Sequence, residues 1–461
     1  MDVEVFVTAG LGDNSYLLVS GDEAAVIDPQ WDAWRFVQAA RARGAAIRAV
    51  LETHVHNDYV SGAHEIRAAT GAQIVAPANG RYEFPHRRAD EGDEVMIGDL
   101  RVAAMATPGH TYEHLSWLVT QAAEPAAVFT GGSLLVGSAG RPDLLGEQHT
   151  EELTRAQYAT LRRLAALPGG VRVLPTHGAG SFCVAAMPTT ERTSTIAAEL
   201  DDNPLLTAAD LAEFSTELCS ELMAWPAYYA HMAPINRTGP PVLGGVPDVP
   251  ALALPEFRRH ASAGAWIVDA RDRDEFAASH IPGSVNIELN SGFGSYVGWM
   301  LPFDAPVILV LPGPERASAT QVMTQLLRIG WDQVPGYLRG GIGAWGGELR
   351  SYPTASVGDL CDAITRGEDP LVLDVRQELE WAWGTIPGSR TLFVADLPRQ
   401  LGTIPRDRAA WVICSNGHRA SIAASLLDAA GIPVRLIGAG SVAECRHHCG
   451  QFLAASRQAA G

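Results

Sequence analysis

Two histidines and an aspartate fall within five positions in Thr53-His54-Val55-His56-Asn57-Asp58-Tyr59. Two more histidines stand alone behind strand-like runs, His110 after Ala106-Thr107-Pro108-Gly109 and His177 after Val173-Leu174-Pro175-Thr176. Imidazoles and carboxylates are the donors from which transition-metal sites are made. An HxHxD loop by itself does not separate a metal loop from ordinary hydrogen-bonded loop histidines. Histidines at the ends of successive strands do favour the metal, because strand ends of one sheet share one edge, where α/β ligand sites lie.

A second kind of chemistry is written near the C-terminus, in Cys414-Ser415-Asn416-Gly417-His418-Arg419. The apolar run Trp411-Val412-Ile413 precedes it and a helical pattern through Leu426-Leu427 follows. A cysteine in a loop that closes on a helix N-terminus has backbone N–H groups and the helix dipole aimed at its sulfur. With Arg419 they favour thiolate over thiol and suit an anionic persulfide. A lone cysteine is more often a buried strand-end residue; the loop glycine, the arginine and the helix start tip the balance here. The segment Cys445-Arg446-His447-His448-Cys449 has zinc-ligand residue types, but no second ligand pair stands near it, and it reads as a helical surface cluster.

The elements that must position these residues follow an α/β pattern. Alternation in Val3-Val5-Val7, then Tyr16 to Val19 and Ala25 to Ile27, predicts a β-meander ending in Asp28-Pro29. A helix is expected from about Asp32 to Gly44, then the strand Ala49-Val50-Leu51 into His54, and a helix ending near Gly71. Further strands are expected at residues 73–76, 93–97, 100–104, 127–131 and 171–175, and a helix over 207–222. Dense Pro and Gly in Gly239-Pro240-Pro241 to Pro247 mark a linker that wraps rather than packs.

Beyond that linker the chain repeats. Ile267-Val268-Asp269-Ala270-Arg271 returns as Val372-Leu373-Asp374-Val375-Arg376, and Ile281-Pro282-Gly283-Ser284 as Ile386-Pro387-Gly388-Ser389, both displaced by 105 positions. Two α/β units of about 100 residues account for it. Arg316-Ala317-Ser318 matches Arg419-Ala420-Ser421, so Leu311 stands where the second unit has Cys414.

Composition sets the bounds. A chain of 461 residues is too long for one core and predicts about three domains. Net charge is −18 and no long basic run occurs, against nucleic acid or an anionic membrane as partner. All 34 basic residues are arginine, which excludes lysine Schiff bases and lysine-dependent phosphate loops. Six scattered cysteines argue against a disulfide framework. No run reaches the ~18–20 apolar residues of a membrane span. The first residues lack signal-peptide character, and a cytoplasmic location is the default expectation.

The ordered motifs Thr53 to Asp58, Pro108 to Thr111, Phe129 to Gly131, Gly140 to Asp143 and Pro175 to Gly178 resemble the metallo-β-lactamase superfamily. The Gly140-Arg141-Pro142-Asp143 block resembles its persulfide dioxygenase branch. The Cys414 loop, with four residues between Cys and Arg, resembles rhodanese sulfurtransferases; phosphatase loops of this type are one residue longer. The first resemblance implies an αββα sandwich and a mononuclear iron held by two histidines and an aspartate, with positions open to thiol and dioxygen. His54 and His110 match the histidines. The aspartate position holds Gly132, and Tyr59 stands where the two-metal hydrolases need a histidine, so two-metal hydrolysis is the chemistry most damaged. The third ligand stays open: His56 completing a three-histidine set, Asp58 swinging in, or a metal-poor scaffold.

The expected fold class is therefore α/β: a metallo-β-lactamase αββα sandwich (1–235), a linker (236–250), a rhodanese-like domain without the active cysteine (251–350) and a rhodanese domain carrying Cys414 (351–461), both with parallel sheets. The expected metal ligands are His54, His56 and His110, with Fe(II) as the mononuclear metal, zinc as its alternative and dioxygen as co-substrate. Cys414 and Arg419 are the expected catalytic pair. The expected function is oxidation of a low-molecular-weight thiol persulfide such as glutathione persulfide to sulfite, coupled to sulfur transfer with thiosulfate or sulfite. Sulfur transfer alone, with the first domain a binding module, is the alternative. No nucleic acid or membrane is expected as partner, and self-association is left open.

Overall fold

The computed structural model describes residues 1–185, 190–220 and 222–448. They form two compact units, Met1–Pro247 with Thr324–Trp331, and Asp248–Met323 with the chain from Asp332 onward.

The first unit holds two six-stranded mixed sheets. Strands Asp2–Thr8, Asp13–Ser20, Glu23–Ile27, Ala46–Leu51, Gln73–Pro77 and Arg87–Ala89 make the first, in chain order. The second runs Ser194–Thr195, Arg172–Pro175, Glu124–Gly131, Leu115–Gln121, Leu100–Ala106 and Glu94–Ile97. Successive side chains on a strand face opposite ways. Leu18, Ile27, Leu51, Trp117 and Phe129 thus join one core between the sheets. Their neighbours Leu17, Val26 and Val50 pack outward against Phe36 and Ile66 of the helices Trp34–Ala42 and Ala63–Thr70. Val128 and Val173 pack outward against Leu161 and Leu164 of Glu147–Ala165. With both faces buried, the strands read as continuous apolar runs. The layers are helix, sheet, sheet, helix.

Parallel pairing sets the functional edge. Ile27 pairs Leu51 and Leu51 pairs Val75 in the first sheet. Phe129 pairs Leu174 in the second, and the strand Leu100–Ala106 runs in the same direction two places away. The C-terminal ends that lead into Asp28, His54, His110, Gly132 and His177 are therefore at one edge. They come from two facing sheets rather than from one.

Three local expectations change. The helix expected over 207–222 is Leu211–Cys219, because the Asp210 side chain accepts from the Ala212 and Glu213 N–H groups and starts it there. The helix Tyr229–Thr238 was hidden by Pro234 within it. The Pro/Gly tract after it is irregular but tied down, since Glu65 accepts from the Leu243 and Gly244 N–H groups.

The second unit contains two five-stranded, wholly parallel sheets with one strand order. Ala251–Leu252, Gly336–Leu338, Val307–Val310, Trp266–Asp269 and Val285–Asn286 form one. Thr354–Ser356, Val434–Ala439, Ala410–Ile413, Leu371–Asp374 and Arg390–Thr391 form the other. Asp269 pairs Val310 as Asp374 pairs Ile413, so Leu311 and Cys414 follow at equivalent positions. The repeated Asp-x-Arg is a buried ion pair in each, 2.6 Å for Asp269–Arg271 and 2.6 Å for Asp374–Arg376. The arginine ties the strand end to the next turn, by 2.8 Å bonds to the Ser279 and Gly384 carbonyls. Removing one partner of such a pair strands a charge in the interior. Asp374→Ala is expected to destabilise the second unit by about 3–5 kcal/mol, seen as an earlier urea transition, whereas the exposed Arg408→Ala leaves it in place.

Candidate functional site

His54, His110 and His177 meet at the shared edge, each at most 1% exposed. One ring nitrogen from each lies within 4.8 Å of the others. Backbone and hydroxyl partners fix which nitrogen is free. Thr53 Oγ1 donates to Asp28 Oδ2 at 2.7 Å, so it must accept from His54 Nδ1 at 2.8 Å. The Arg141 carbonyl, which can only accept, lies 2.9 Å from His110 Nδ1. Asp13 Oδ1 lies 2.9 Å from His177 Nδ1. Each Nδ1 thus carries its proton outward and each Nε2 lone pair faces inward.

Burial first, then the neighbouring imidazoles, hold His54 and His110 far below the usual histidine range; burial also lowers His177, against the pull of Asp58. His110 Nε2 has no hydrogen-bond partner. His54 Nε2 and His177 Nε2 are 3.5 Å apart, the spacing of two ligands that share an ion about 2 Å from each. Three unprotonated lone pairs aimed at one point repel one another unless a cation lies between them. The set fits one divalent transition metal, and imidazole suits iron, zinc, copper or nickel.

His56 has its Nε2 engaged elsewhere, while its buried Nδ1 has no hydrogen-bond partner among the described residues. Its Nε2 lies 3.0 Å from Tyr59 Oη and 3.3 Å from both Asp28 Oδ1 and Glu52 Oε2. Burial opposes its charge, but the two carboxylates outweigh that and raise it well above the usual range. His56 with Asp28 and Glu52, and His56 with Asp58 and His177, are the other two ligand-type clusters among the described residues. In the first, the imidazole lies between two carboxylates. Asp58 lies 3.4 Å from His177 Nδ1, on the side of that ring away from its free nitrogen. Burial, then mutual repulsion with Asp13, pushes Asp58 up to about 7. The structure therefore brings His54 and His110 together with His177, and places His56 and Asp58 around them.

Gly132 leaves no gap to be filled. A Cβ there would lie 2.3 Å from His110 Cδ2, so the ring occupies the space of the missing side chain. The Gly132 N–H donates to His114 Nε2 at 2.9 Å, and His114 Nδ1 faces Thr107 Oγ1 at 2.9 Å. Both nitrogens of His114 are thereby used inside the protein, and burial pushes it down to about 3.

Several supports are far away in sequence. Arg141 forms 2.6 Å bonds to both oxygens of Asp143 and donates to the Phe182 and Met223 carbonyls, which aims its own carbonyl at His110. Asn236 donates to the His56 and Tyr59 carbonyls at 2.9 and 2.8 Å and accepts from the Ser61 N–H, pinning the loop. Beside that loop lies a cleft of about 820 Å³. Tyr82, which donates to the His54 carbonyl, lines it together with Tyr112, Arg81, Arg88 and Arg237.

The thiol loop is equally well defined. Cys414 is buried, and its Sγ accepts from the Gly417 N–H at 3.1 Å. Gly417 has φ +86° and starts the helix His418–Ala429. Arg419 pairs with both oxygens of Glu380 and donates to Ser415 Oγ at 2.8 Å. It is a neutralised anchor of the loop more than a free cation. Tyr296 of the first repeat is pushed up to about 12, by burial above all, with Arg419 opposing and Cys414 and Glu380 adding. Cys445 is buried 3.5 Å from the sulfur of Cys361, not on the surface. Cys449 and the side chains of His447 and His448 lie outside the described residues.

Comparison with known proteins now bears on these sites. Residues 9–177 match the family model of the metallo-beta-lactamase superfamily, and residues 254–348 and 356–443 match the rhodanese-like domain. The chain belongs to the metallo-β-lactamase superfamily and carries two rhodanese-like domains. It is 32% identical over 179 residues to the hydroxyacylglutathione hydrolase of Pseudomonas entomophila, covering 38% of this chain and 66% of that one. To the hydroxyacylglutathione hydrolase of Cereibacter sphaeroides it is 31% identical, covering 38% and 67%. The chain thus spans about two thirds of the length of such relatives. A metallo-beta-lactamase structure from Staphylococcus aureus aligns with TM-score 0.66 and 26% identity over 74% of this chain and 99% of that one.

Within the metallo-β-lactamase domain, the residues hardest to find by sequence reading are Asp13, His114 and Asn236. Each is a common residue type whose role depends on a partner many positions away. Asp28 left one trace, a strand that stops at Asp-Pro, and its φ of +49° is the cause. A methyl group at residue 132 must displace the His110 ring. Gly132→Ala is expected to lower bound metal per chain at least several-fold by elemental analysis, as is His177→Ala, while the exposed Arg155→Ala leaves it unchanged.

Proposed function

We propose that this chain oxidises the sulfane sulfur of an anionic, low-molecular-weight thiol persulfide to sulfite and moves sulfane sulfur through Cys414. The observation that carries the reading is the pairing, in one chain, of a single-ion imidazole set with a thiol cradled by a backbone N–H. His54, His110 and His177 would hold the metal, with iron(II) the species that suits dioxygen chemistry. When bound, that ion would supply the open coordination positions and the redox chemistry that a reaction between a thiolate sulfur and dioxygen needs. Overall, the persulfide, dioxygen and water give the free thiol and sulfite: the outer sulfur is oxidised and dioxygen is reduced.

The chain's own residues do the rest. Asp13, Thr53 and the Arg141 carbonyl keep the three imidazoles in the ligating tautomer. The buried setting of the loop excludes bulk water. Arg81, Arg88 and Arg237 gather positive charge on one cleft of a chain whose net charge is −18, which suits a carboxylate-bearing thiol such as glutathione persulfide. At Cys414 the thiolate attacks the outer sulfur of thiosulfate; a new S–S bond forms, the old one breaks, and sulfite leaves with the electron pair. Two active sites on one chain raise the effective concentration of sulfur passed between them.

The hydrolase relatives point to thioester hydrolysis as the competing reading. Against it stand Tyr59 and Gly132, which remove a ligand histidine and the carboxylate position that a second metal uses. Sulfur transfer alone is the other alternative. Oxygen uptake by iron-loaded protein with glutathione persulfide separates them. The expected result is uptake that falls at least about a hundredfold in His54→Ala and His110→Ala. Cys414→Ser should keep that uptake and lose thiosulfate-to-cyanide transfer. No uptake with transfer intact would leave the first domain a binding module, and thioester cleavage without uptake would make it a hydrolase.

A further inference from the structure

Among the contacts between the repeat that lacks a cysteine and the one that has it, one is made at the peptide bond beside the sulfur. Gly417 N–H donates to Cys414 Sγ at 3.1 Å. The other end of that peptide, the Asn416 carbonyl, accepts from Arg273 Nη1 at 2.5 Å. Arg273 opens the helix Arg273–Ala278 of the first repeat. Its guanidinium is aimed by Glu288 of the same repeat, at 2.9 Å from Nε and 2.6 Å from Nη2, and it also reaches the Gly438 carbonyl at 3.4 Å. A Cβ on Gly417 would fall 1.8 Å from Arg273 Nη1. That glycine is therefore required twice, by its φ and by the closeness of the arginine.

A cation donating to a peptide oxygen fixes the plane of the peptide and polarises the N–H at its other end. Here that N–H faces the sulfur. We propose that Arg273 is a positioning residue for sulfur transfer at Cys414, acting through the Asn416–Gly417 peptide, so that the cysteine-less repeat is part of the active site. The inference rests on the reading of Cys414 as the sulfur-accepting thiol. Attack by the Cys414 thiolate places negative charge on Sγ before transfer and on the terminal sulfur after it. A fixed N–H lowers the energy of the thiolate, and cyanide later removes the outer sulfur as thiocyanate and returns it.

The charged and titratable groups around the loop are Arg419 with Glu380 of the helix Glu378–Ala382, His418, Glu288, and Tyr296 of the helix Phe293–Met300. Burial opposes ionisation of Glu288, but bonds from His418 and Arg273 outweigh it and hold it at about 2. Glu288 therefore stays ionised beside Arg273 throughout a titration from pH 5 to pH 10.

The test is the pH profile of iodoacetamide alkylation at Cys414 in the full-length protein, read by peptide mass spectrometry, beside thiosulfate-to-cyanide transfer. Arg273→Gln is expected to move the alkylation profile to higher pH, with a roughly tenfold slower alkylation at its lower end, and to cut transfer about tenfold or more. Arg273→Lys, which keeps the charge and a donor, should lie between parent and Arg273→Gln. The exposed Arg259→Gln should match the parent. If either Arg273 variant that folds, by its urea transition, keeps the parent's alkylation profile, the inference is overturned. If instead Cys414→Ser leaves transfer intact, the reading of the thiol fails, and that result is distinct from an unshifted profile.

Discussion

Four donors converge on one buried carboxylate, and the metal end of the protein depends on it. Asp28 accepts from the Thr53 N–H at 2.8 Å, the Thr53 hydroxyl at 2.7 Å and the Thr176 hydroxyl, with His56 at 3.3 Å. Thr53 follows a strand of the first sheet and Thr176 a strand of the second. One side chain therefore joins the two sheets where their ends meet. Burial works against its charge, but His56 and the hydroxyl donors outweigh that and hold it below the usual carboxylate range. Because the Thr53 hydroxyl spends its only proton on Asp28, it must accept from His54. The tautomer of the ligand is thus decided at an atom that never touches the ligand position.

The same logic separates what could be read from the chain from what could not. Strand ends, the loop from Thr53 to Asp58 and the isolated His110 and His177 were legible because apolar runs and turn residues are local signals. The repeat in the second half was legible because two motifs recur 105 positions apart and a third recurs 103 apart, a difference of only two residues. That His177 shares one point with His54 and His110 was not legible. Spacing puts His56 two residues from His54, and the ring centroids lie 4.2 Å apart, yet His56 Nε2 is turned to Asp28, Glu52 and Tyr59 while Asp13 aims the distant His177. Arg419 shows the same limit: its loop position was clear, while its engagement by Glu380, 39 residues away, was not. Elements follow from neighbours in sequence; the direction of a polar side chain follows from neighbours in space.

The second unit makes a related point about duplication. Its repeats share strand order, strand register and a buried Asp–Arg pair, so the architecture at Leu311 could carry a nucleophile as readily as that at Cys414. What differs is a handful of loop atoms. The first repeat has kept its fold while its outward-facing residues, Arg273 and Glu288, contact the loop of the second. The copy without the cysteine lies against the loop that carries it. No helix of the described residues is long and apolar enough to cross a membrane.

The close fit between residue 132 and the His110 ring also limits how the site could change. Where a ring lies this close to a glycine, the site resists any larger residue at that position. Placing a carboxylate there in one step would drive it into His110, which is itself held by the carbonyl of an arginine locked in a buried ion pair. A lineage or a designer seeking a carboxylate ligand here would meet less resistance by starting elsewhere on the edge, for example with Asp58, already buried and 3.4 Å from His177.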